Sequence, residues 1–426
     1  MPQVTDRTRR LLTAAVVCLA AALLGIHLSS DWRLLHEDNG AMQTTLALSH
    51  IEAGLAVTRG HDVFVDRHTG IASLYGHHPP GVALVLAGAF SLAGSAEPAV
   101  ARTVVILFQL GSLLCLVRLL GLLFPARSAL AGALAFAILP MGAYFGRMVN
   151  YEAPCLFGVL LQLLGFAHYL ASGRRRSLAL LAGGVVLAGL LDWPAFFFTA
   201  AIGLAGAWMA YRGEIRGRAI FVVAAGSSVA MLAFDLLHLW WAARGSLATL
   251  STVAASSAQG ATPLTGVGDF VGGQLESFRR YFSHTGLLAS LFVAVLALAA
   301  RSRPSLALLG GGSGRSRRMV LAVSGSAAAA YVLAAPSWAS IHPYWKFYFL
   351  PFVTLSVALL FEALTALPRR SAMIVGALLL AEMAGTSAYM LRLRHTREGA
   401  YAIEATAKFR ADDLRPEDVF RPRSEK

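Results

Sequence analysis

The chain has few charged residues, few cysteines and almost no lysine. Asp, Glu, Lys and Arg together make up 14% of its 426 residues, whereas soluble domains have about 25%. Hydrophobic residues reach 57%. The scarcity of charge, together with this hydrophobic content, excludes a disordered chain, a collagen and a coiled coil. The composition therefore predicts an integral membrane protein.

The three cysteines, Cys18, Cys115 and Cys155, contain no CxxC pair and form no even-numbered set. They therefore indicate neither a disulfide framework nor a zinc site. The net charge of +13 does not indicate nucleic-acid binding, because the arginines fall in short runs between apolar segments and form no basic face.

Eleven apolar runs have about the length that a bilayer-spanning helix needs. A twelfth, 81–96, is ambiguous. If 81–96 does not cross, the arginine clusters between the other runs all fall on one side, which the positive-inside rule makes the cytoplasm. We therefore predict an all-α polytopic membrane protein with about 11 transmembrane helices, in which 81–96 is an interfacial or re-entrant helix on the outer side. The predicted spans are 11–28, 100–123, 127–146, 152–172, 177–191, 193–211, 217–241, 284–300, 318–335, 346–366 and 371–391.

This topology assigns residues 1–391 to one transmembrane domain and 392–426 to a short polar tail, which we place outside. The cytoplasmic connections are short and rich in arginine, so any chemistry is expected in the loops on the outer face. The predicted outer loops are 29–99, 147–151, 242–283 and 336–345.

The first outer loop contains two adjacent acids, Glu37 and Asp38, just before a predicted interfacial helix over 41–57. A carboxylate at this position is suited to general-base chemistry at the membrane surface. The alternative is structural, because Asp38 or Asn39 could be the N-cap of that helix.

Two further segments place polar residues at the outer surface. In HHPPG, at 77–81, the prolines stiffen the chain and restrict the residue before them, so His77 and His78 are expected to have defined directions. In FGRMVNYEAP, Arg147 and Glu152 lie at the outer end of a helix pair. Glu152 is either an acid that favours a helix start or a functional charge near lipid.

Two more candidate segments lie between residues 190 and 282. Asp192, followed by Pro194, is typical of a helix N-cap with a proline in the first turn. The segment GDFVGGQLESFRRYF predicts an amphipathic surface helix that carries Arg279 and Arg280. These two arginines could hold a phosphate or bind anionic headgroups.

The last outer loop, SWASIHPYWKFYF, offers His342, Tyr344 and Lys346. Lys346 could contact an anion, or it could extend its ammonium group to the interface beside an aromatic belt. Acids, histidines and cations from four separate loops are thus predicted at one level of the membrane.

Five stretches of the chain resemble one superfamily. The GT-C glycosyltransferases include protein O-mannosyltransferases, the aminoarabinose transferase of lipid A and their bacterial relatives of glycosyltransferase family 39. The first outer loop, the His/Lys-Pro-Pro segment and the second outer loop of these proteins resemble the first three stretches here, and later segments of the bacterial branch resemble the last two. The stretches are EDNGAMQTTLALSHIEAGLAVTRG, YGHHPPG, YFGRMVNYEAP, LLDWPAFFF and HPYWKFYFLP.

The resemblance implies a membrane glycosyltransferase that moves a sugar from a polyprenyl phosphate to an acceptor hydroxyl and inverts the anomeric carbon. Asp38 takes the role of the general base, with Glu37 as the alternative because the acidic pair here is Glu-Asp, where many relatives have Asp-Glu. The leaving phosphate needs cations. Arg279, Arg280, Lys346 and Arg147 are the candidates.

The resemblance also implies supporting roles for the other outer residues. Glu152 would support the site or bind a divalent cation, the one candidate cofactor, together with His78. The expected location is a bacterial-type inner membrane, with the site facing the periplasm and a glycan, lipid or protein as the acceptor. The other residues expected to support the site or contact the acceptor are His77, Asp192, His342 and Tyr344.

Two alternatives remain from the sequence. A transporter or flippase of lipid-linked sugars would use charged residues at the membrane midplane and inverted repeats, and the sequence shows no repeat. A non-catalytic membrane scaffold that has kept the fold is the second alternative.

Overall fold

The computed structural model describes residues 6–65, 72–243, 266–302, 314–400, 402–404 and 406–407. Within these residues the chain is almost entirely helical. Its one sheet in this part is a two-stranded antiparallel hairpin of β1 (Val63–Val65) and β2 (Ala72–Leu74), in which Val63 lies opposite Leu74. The expected all-α fold is confirmed.

The long helices follow the apolar runs of the sequence, and shorter helices lie between them. In chain order the helices are α1 (Asp6–Leu24), α2 (Asp38–Glu52), α3 (Gly54–Thr58), α4 (Gly81–Ala93), α5 (Pro98–Leu123), α6 (Ala126–Ile138), α7 (Pro140–Phe145), α8 (Glu152–Ser172), α9 (Arg175–Leu191), α10 (Ala195–Tyr211), α11 (Ile215–Ala242), α12 (Val267–Ser302), α13 (Gly314–Ala334), α14 (Pro336–Ile341), α15 (Leu350–Ala363) and α16 (Arg369–Thr396). Two 3₁₀ helices, Pro343–Phe349 and Leu364–Ala366, flank α15.

Each of the eleven predicted spans coincides with a helix or with consecutive helices. In the described part of the chain, six segments are long and apolar enough to cross a bilayer by length and composition. The protein is therefore an integral membrane protein, while the count of about 11 crossings stays a prediction. The six segments are Pro98–Leu123, Glu152–Ser172, Ile215–Ala242, Val267–Ala299, Pro343–Ala366 and Arg369–Thr396.

Proline divides the predicted span 127–146 into α6 and α7. Leu139 has extended backbone angles (φ −57°, ψ 138°), and Pro140 begins the next helix. A residue before proline is disfavoured in the helical region, and proline itself lacks the N–H that would continue the hydrogen-bond ladder. The break turns the short helix α7 toward the outer loops.

The helix α12 joins two segments that the sequence treats separately, the amphipathic helix around 268–282 and the span 284–300. They meet at Ser283, which has left-handed backbone angles (φ 64°, ψ 171°). Its hydroxyl accepts a hydrogen bond from Gly286 N (3.3 Å). The carboxylate of Glu382, on α16, accepts hydrogen bonds from the N–H groups of His284 and Thr285, each at 3.0 Å. These acceptors satisfy the free N–H groups where the second segment begins.

The helix α4 corresponds to the segment 81–96 that we expect at the interface. A Cβ on Gly81 would lie 2.1 Å from the carbonyl oxygen of Leu190, near the end of α9. Only glycine allows this approach of two backbones. The contact places the HHPPG segment directly against the Asp192 turn.

Glycines also bring α8 and α9 together. A Cβ on Gly158 would lie 2.6 Å from the Cβ of Ala188, and one on Gly184 would lie 2.7 Å from Gln162 N. Small residues of this kind allow close packing of helices within a membrane. Because the two helices are antiparallel neighbours, Glu152 at the start of α8 and Asp192 at the end of α9 lie at the same end of the pair.

The chain after the last helix returns to the first outer loop. The helix α16 extends to Thr396, five residues beyond the predicted end of the last span, and Glu398 then forms an antiparallel bridge with Leu34. The start of the predicted tail therefore lies on the same side of the protein as residues 29–38. Residues 244–265 of the predicted loop 242–283, and residues 408–426, lie outside the described part of the chain.

Candidate functional site

Glu37 is buried and ion-paired to two arginines. Its Oε1 accepts hydrogen bonds from the Nη2 atoms of Arg102 and Arg147, each at 3.0 Å. Its Oε2 accepts hydrogen bonds from the backbone N–H groups of Arg33 (3.2 Å) and Leu34 (3.0 Å). The carboxylate is fully engaged, and it joins the first outer loop to α5 and to the 147–151 turn.

Arg102 was not singled out from the sequence. It is 1% exposed, and it donates hydrogen bonds to the carbonyl oxygens of Leu28 (2.9 Å) and Ser30. Its guanidinium lies 4.4 Å from the ring centroid of Trp32. The available signal was an arginine in the first turn of a strongly apolar helix, because a charge at such a position needs a partner.

Asp38 follows Glu37 but has a different environment. It begins α2, it is half-buried, and no described cation pairs with its carboxylate. Burial raises the pKa of Asp38, while nearby backbone N–H groups, its own and that of Asn39, oppose the rise. A carboxylate with a raised pKa and no counter-ion is suited to accepting a proton.

The N-cap interpretation of the acidic pair is wrong. The helix α2 begins earlier than the predicted 41–57, its N-cap residue is Glu37, and no side chain makes a capping hydrogen bond there. The carboxylate of Glu37 instead accepts backbone hydrogen bonds from the preceding residues of the loop. The helix also ends earlier, at Glu52, and the short α3 follows.

His36 turns the chain just before the acidic pair. It has a left-handed backbone (φ 67°), which is uncommon for a residue other than glycine and often marks a functional segment. Its ring lies 5.5 Å from that of Tyr344 in an edge-on contact. Burial lowers the pKa of His36 to about 3, and the positive charges of Arg394 and His342 contribute to the shift. Asp38 therefore lies two residues from a histidine whose pKa is affected by the charge of Arg394.

Arg394 belongs to an arginine-rich pocket of about 540 Å³ between α12 and α16. The Arg279 guanidinium forms two hydrogen bonds of 2.8 Å with Glu276, and Arg280 Nε forms one of 2.6 Å. The cations of this pocket exceed its one carboxylate. The charged and histidine residues that line it are Glu276, Arg279, Arg280, His284, Arg394 and Arg397.

Arg394 is a member of this pocket with a donor that is available for a ligand. Its guanidinium lies 5.3 Å from the ring centroid of Tyr281 and 6.0 Å from that of Tyr144. Its Nε is buried and has no hydrogen-bond partner among the described residues. A buried cationic donor without an acceptor is costly, so an anion in the pocket would stabilise it. Neither Arg394 nor Arg397 was expected from the sequence, although both follow the last predicted span in a basic run on the predicted outer side, where the positive-inside rule does not favour one.

The other two predicted phosphate ligands lie elsewhere. Arg147 is 2% exposed and is paired with Glu37. Lys346 is also 2% exposed, and its Nζ donates a hydrogen bond to the carbonyl oxygen of Ala339 (2.8 Å). Lys346 therefore does not extend to the interface, so that alternative from the sequence is wrong. The pocket contains Arg279 and Arg280 but neither Arg147 nor Lys346.

Asp192 connects three segments of the outer side. Its Oδ1 is 2.8 Å from His78 Nδ1, and its Oδ2 accepts a hydrogen bond from the hydroxyl of Tyr348 (3.0 Å). His77 contributes its carbonyl oxygen, which accepts a hydrogen bond from Trp193 Nε1 (2.7 Å). The N-cap expectation for Asp192 is wrong, because the N-cap residue of α10 is Pro194 and no side chain caps it.

A second buried acid, Asp62, lies in the same region and was not singled out as a site residue. His50 Nε2 is 3.5 Å from Asp62 Oδ1, and the hydroxyl of Tyr151 donates a hydrogen bond to Oδ2 (3.4 Å). The ring of Tyr151 stacks on His78 with 4.0 Å between centroids. Burial raises the pKa of Asp62, and the interactions with His50 oppose this rise. Tyr151 thus joins the Asp62 pair to the Asp192 pair.

Glu152 is 5% exposed, and its Oε2 has no hydrogen-bond partner among the described residues. Glu152 and His78 are the pair proposed from the sequence as metal ligands. Within the described residues, no group of three or more His, Cys, Asp or Glu side chains is arranged to hold a metal ion. We therefore derive no step through a metal.

His342 and Tyr344 interact with each other at the edge of the candidate site. The hydroxyl of Tyr344 is 3.0 Å from His342 Nδ1. Burial lowers the pKa of His342, and the charge of Lys346 contributes. The ring of Tyr344 also contacts that of His36. Tyr344 therefore joins His342 to the residue that precedes the acidic pair.

Comparison with known proteins supports the resemblance drawn from the sequence. Residues 77–241, less than half of the chain, match the family model described as dolichyl-phosphate-mannose-protein mannosyltransferase. The chain is similar in structure to ArnT from Cupriavidus metallidurans bound to undecaprenyl phosphate, with a TM-score of 0.62, 14% identity, and coverage of 93% of this chain and 69% of that one. A comparison with curated protein sequences finds no match.

A second similar structure is the archaeal oligosaccharyltransferase AglB from Archaeoglobus fulgidus, in complex with an inhibitory peptide and a dolichol-phosphate. The TM-score is 0.56 at 15% identity, and the match covers 91% of this chain. The chain spans only 56% of the length of AglB. The fold is thus that of the polytopic GT-C class. Within this class the chain resembles the protein O-mannosyltransferase and ArnT groups.

Proposed function

We propose that the protein is a membrane glycosyltransferase that moves a sugar from a polyprenyl phosphate to an acceptor hydroxyl at the outer face of the membrane. One observation carries the proposal. The unpaired, half-buried carboxylate of Asp38 lies two residues from His36, whose pKa is lowered in part by the charge of Arg394 in the arginine-rich pocket. A base beside an anion pocket is the arrangement that transfer from a sugar phosphate needs.

In the proposed reaction the Asp38 carboxylate accepts the proton of the acceptor hydroxyl. The acceptor oxygen then forms a bond to the anomeric carbon, and the bond from that carbon to the phosphate oxygen breaks. The electron pair of that bond leaves on the polyprenyl phosphate, which becomes a monoester. Attack from the face opposite the leaving phosphate inverts the anomeric carbon.

The charge that develops on the leaving phosphate is stabilised by the arginines of the pocket. Arg279 and Arg280 are paired with Glu276, whose side chain is 38% exposed. Arg394 supplies a donor with no partner among the described residues. We assign Arg394 the closest contact with the phosphate, and Arg279 and Arg280 a supporting electrostatic role.

Glu37 is proposed as a positioning residue. All its acceptor capacity toward the protein is used by two arginines and two backbone N–H groups, so it cannot take a proton without breaking a buried ion pair. Its role is to fix the loop so that the next residue, Asp38, faces the reaction. These pairings support our proposal of Asp38, rather than Glu37, as the base.

The Asp192 network is proposed to shape the acceptor side of the site. His78, Asp192 and Tyr348 are joined by hydrogen bonds, and Tyr151 connects them to Asp62. Glu152 lies at the same end of the helix pair. The carboxylates of Asp192 and Asp62 are engaged in hydrogen bonds, so we assign them an orienting role and not the role of a second base.

The experiment is a transfer assay with the purified full-length protein in vesicles. A panel of radiolabelled polyprenyl-phosphate sugars is supplied together with a membrane extract as the acceptor source. The expected result is transfer with one donor, with inversion of the anomeric carbon, and only when the donor is on the face that carries the first loop. The Asp269→Asn variant is the control, because Asp269 is an exposed acid on the same side.

Movement of intact donor between leaflets, with no cleavage of the sugar-phosphate bond, would contradict the proposal and support a flippase. Retention of the anomeric configuration would contradict the single-displacement chemistry, although the protein would still be a glycosyltransferase.

A further inference from the structure

The residues after α16 form a strap over the first outer loop, by which we mean residues 397–400, 402–404 and 406–407. Glu398 forms an antiparallel bridge with Leu34, and Gly399 N donates a hydrogen bond to the carbonyl oxygen of Arg33 (2.9 Å). Thr406 Oγ1 donates a hydrogen bond to the carbonyl oxygen of Trp32 (3.2 Å). The strap is therefore joined by hydrogen bonds to the backbone of the segment that leads to Asp38.

The strap also packs closely against this segment. Ala402 is 1% exposed and Thr406 is 5% exposed. A Cβ on Gly399 would lie 3.3 Å from the Cα of Leu35 and 3.4 Å from the Cβ of Ala402. Contacts this tight leave little room for a side chain at position 399.

The segment under the strap is the support of the acidic pair. Trp32 packs on the Arg102 guanidinium that holds Glu37. A Cβ on Gly40 would lie 2.4 Å from the Trp32 ring, so the ring also packs against the first turn of α2. Trp32 is thus fixed between the ion pair of Glu37 and the first turn of α2, where Asp38 lies.

The other end of the strap adjoins the arginine-rich pocket. Arg397 is both the first residue of the strap and part of the pocket lining, and Arg394 lies one turn earlier on α16. Hence one short stretch of chain connects the proposed phosphate ligands to the loop that carries the proposed base. The helix α7 makes a second connection, because the hydroxyl of Tyr144 donates a hydrogen bond to the carbonyl oxygen of Leu35 (2.8 Å) and its ring centroid lies 6.0 Å from the Arg394 guanidinium.

We propose that the strap is a positioning element that holds the Trp32–Glu37 loop so that Asp38 faces the arginine-rich pocket. This inference rests on the proposed function for its effect on catalysis, while the seating of the strap on the loop can be tested without any assay of transfer. A misplacement of about 1 Å in a reacting group can lower a rate about 100-fold.

The first test is Gly399→Val in the full-length protein. The larger side chain pushes the strap from Leu35, so we expect kcat to fall about 10- to 100-fold. The KM for the lipid-linked donor should change less than about threefold, because Arg279, Arg280 and Arg394 lie on helices outside the strap. The acidic limb of the pH profile should also move toward lower pH, since a displaced Asp38 is more hydrated and its pKa falls toward the ordinary value.

Gly226→Val is the matched control, because no atom lies within 4 Å of a Cβ built at Gly226 on α11. Thr406→Val is a milder second variant that removes one hydrogen bond and keeps the shape of the side chain. It should lower kcat in the same sense with no change in the apparent melting temperature. Equal kcat in Gly399→Val and Gly226→Val would overturn the proposal.

The second test joins the strap to the loop by a disulfide, with Leu34→Cys and Glu398→Cys together. Residues opposite each other in an antiparallel bridge have Cα atoms about 4.5–5.5 Å apart, within the range that a disulfide spans. Oxidation should remove two free thiols from the double variant and none from Leu34→Cys alone, and transfer should continue at the rate of the reduced protein. Failure to cross-link would overturn the seating of the strap, and a rate that falls on oxidation and returns on reduction would show that the strap must leave the loop.

A wild-type protein with no transfer activity would refute the proposed function, but the cross-link would still form if the strap is seated as described. The two failures are therefore distinguishable.

Discussion

Glu37 and Asp38 are adjacent acids, and we predict that neutralising Glu37 destabilises the fold whereas neutralising Asp38 does not. Glu37→Gln removes the charge that two buried arginines share, while keeping the shape of the side chain. Breaking a buried ion pair in this way costs about 3–5 kcal/mol, because the remaining charges stay buried without compensation. Both arginines are at most 2% exposed, so water cannot replace the carboxylate, and we expect a value at the upper end of this range.

Asp38→Asn should not lower stability at neutral pH. The folded-state pKa of Asp38 is raised by burial, so the ionised form is less stable in the folded than in the unfolded protein. The stability linked to this group is greatest below its unfolded pKa and is lost as the pH rises through its folded pKa. An asparagine removes that loss, so the variant should be as stable as the wild type or slightly more stable.

The assay is the apparent melting temperature of each full-length variant in the same detergent at one scan rate, since unfolding of large proteins is often irreversible. We expect a decrease of several degrees for Glu37→Gln and none for Asp38→Asn. The reasoning would be refuted if Glu37→Gln melted with the wild type while abolishing transfer, because Glu37 would then be acting in the reaction and not in the fold.

Three further predictions concern the rate, the donor and the packing. The acidic limb of kcat/KM should lie above the ordinary aspartate pKa of about 3.9, because the base must be deprotonated and burial raises the pKa of Asp38; a limb at or below 3.9 in a pH titration would contradict this. Arg394→Gln should raise the KM for the donor about 10- to 100-fold, because the loss of a charged hydrogen bond costs about 1.5–3 kcal/mol. The control is Arg392→Gln, which changes an exposed arginine outside the pocket lining and should leave KM unchanged. Gly81→Ala should lower the melting temperature because its Cβ would lie 2.1 Å from a carbonyl oxygen of a neighbouring helix, and Gly88→Ala, with no atom within 4 Å, is the control whose equal effect would contradict the packing argument.

The helices could be predicted from the sequence because their cause is local. Each predicted span becomes a helix or consecutive helices, six segments of the described residues are long and apolar enough to cross a bilayer, and the arginine clusters indicate where the runs end. The prediction is less accurate where backbone chemistry intervenes. Pro140 breaks a predicted span, and Ser283 joins a surface helix to a span that the hydropathy pattern separates.

The candidate site could be predicted only in part, because its pairings join distant residues. His78 and Asp192 are 114 positions apart, and Glu37 and Arg147 are 110 apart. The sequence identifies these residue types at one level of the membrane but not their partners. An N-cap is the more common role for an aspartate before a helix, and this local expectation is wrong for Asp192 because longer-range hydrogen bonds take its carboxylate.

For Arg394 and Arg397, a disagreement with the predicted topology was itself informative. An arginine run after the last predicted span conflicts with the placement of the tail outside. Two of those arginines line the pocket that we propose as the phosphate site, and an anion bound there would offset their charge.

The central claim is that Asp38 is the base for sugar transfer, and the most direct test compares wild type with Asp38→Asn at saturating donor. General-base catalysis contributes about 10²–10⁴ in rate, so we expect transfer by the variant to fall by at least 100-fold with donor binding and melting temperature unchanged. Transfer within threefold of the wild type, measured on protein that binds donor normally, would contradict the account.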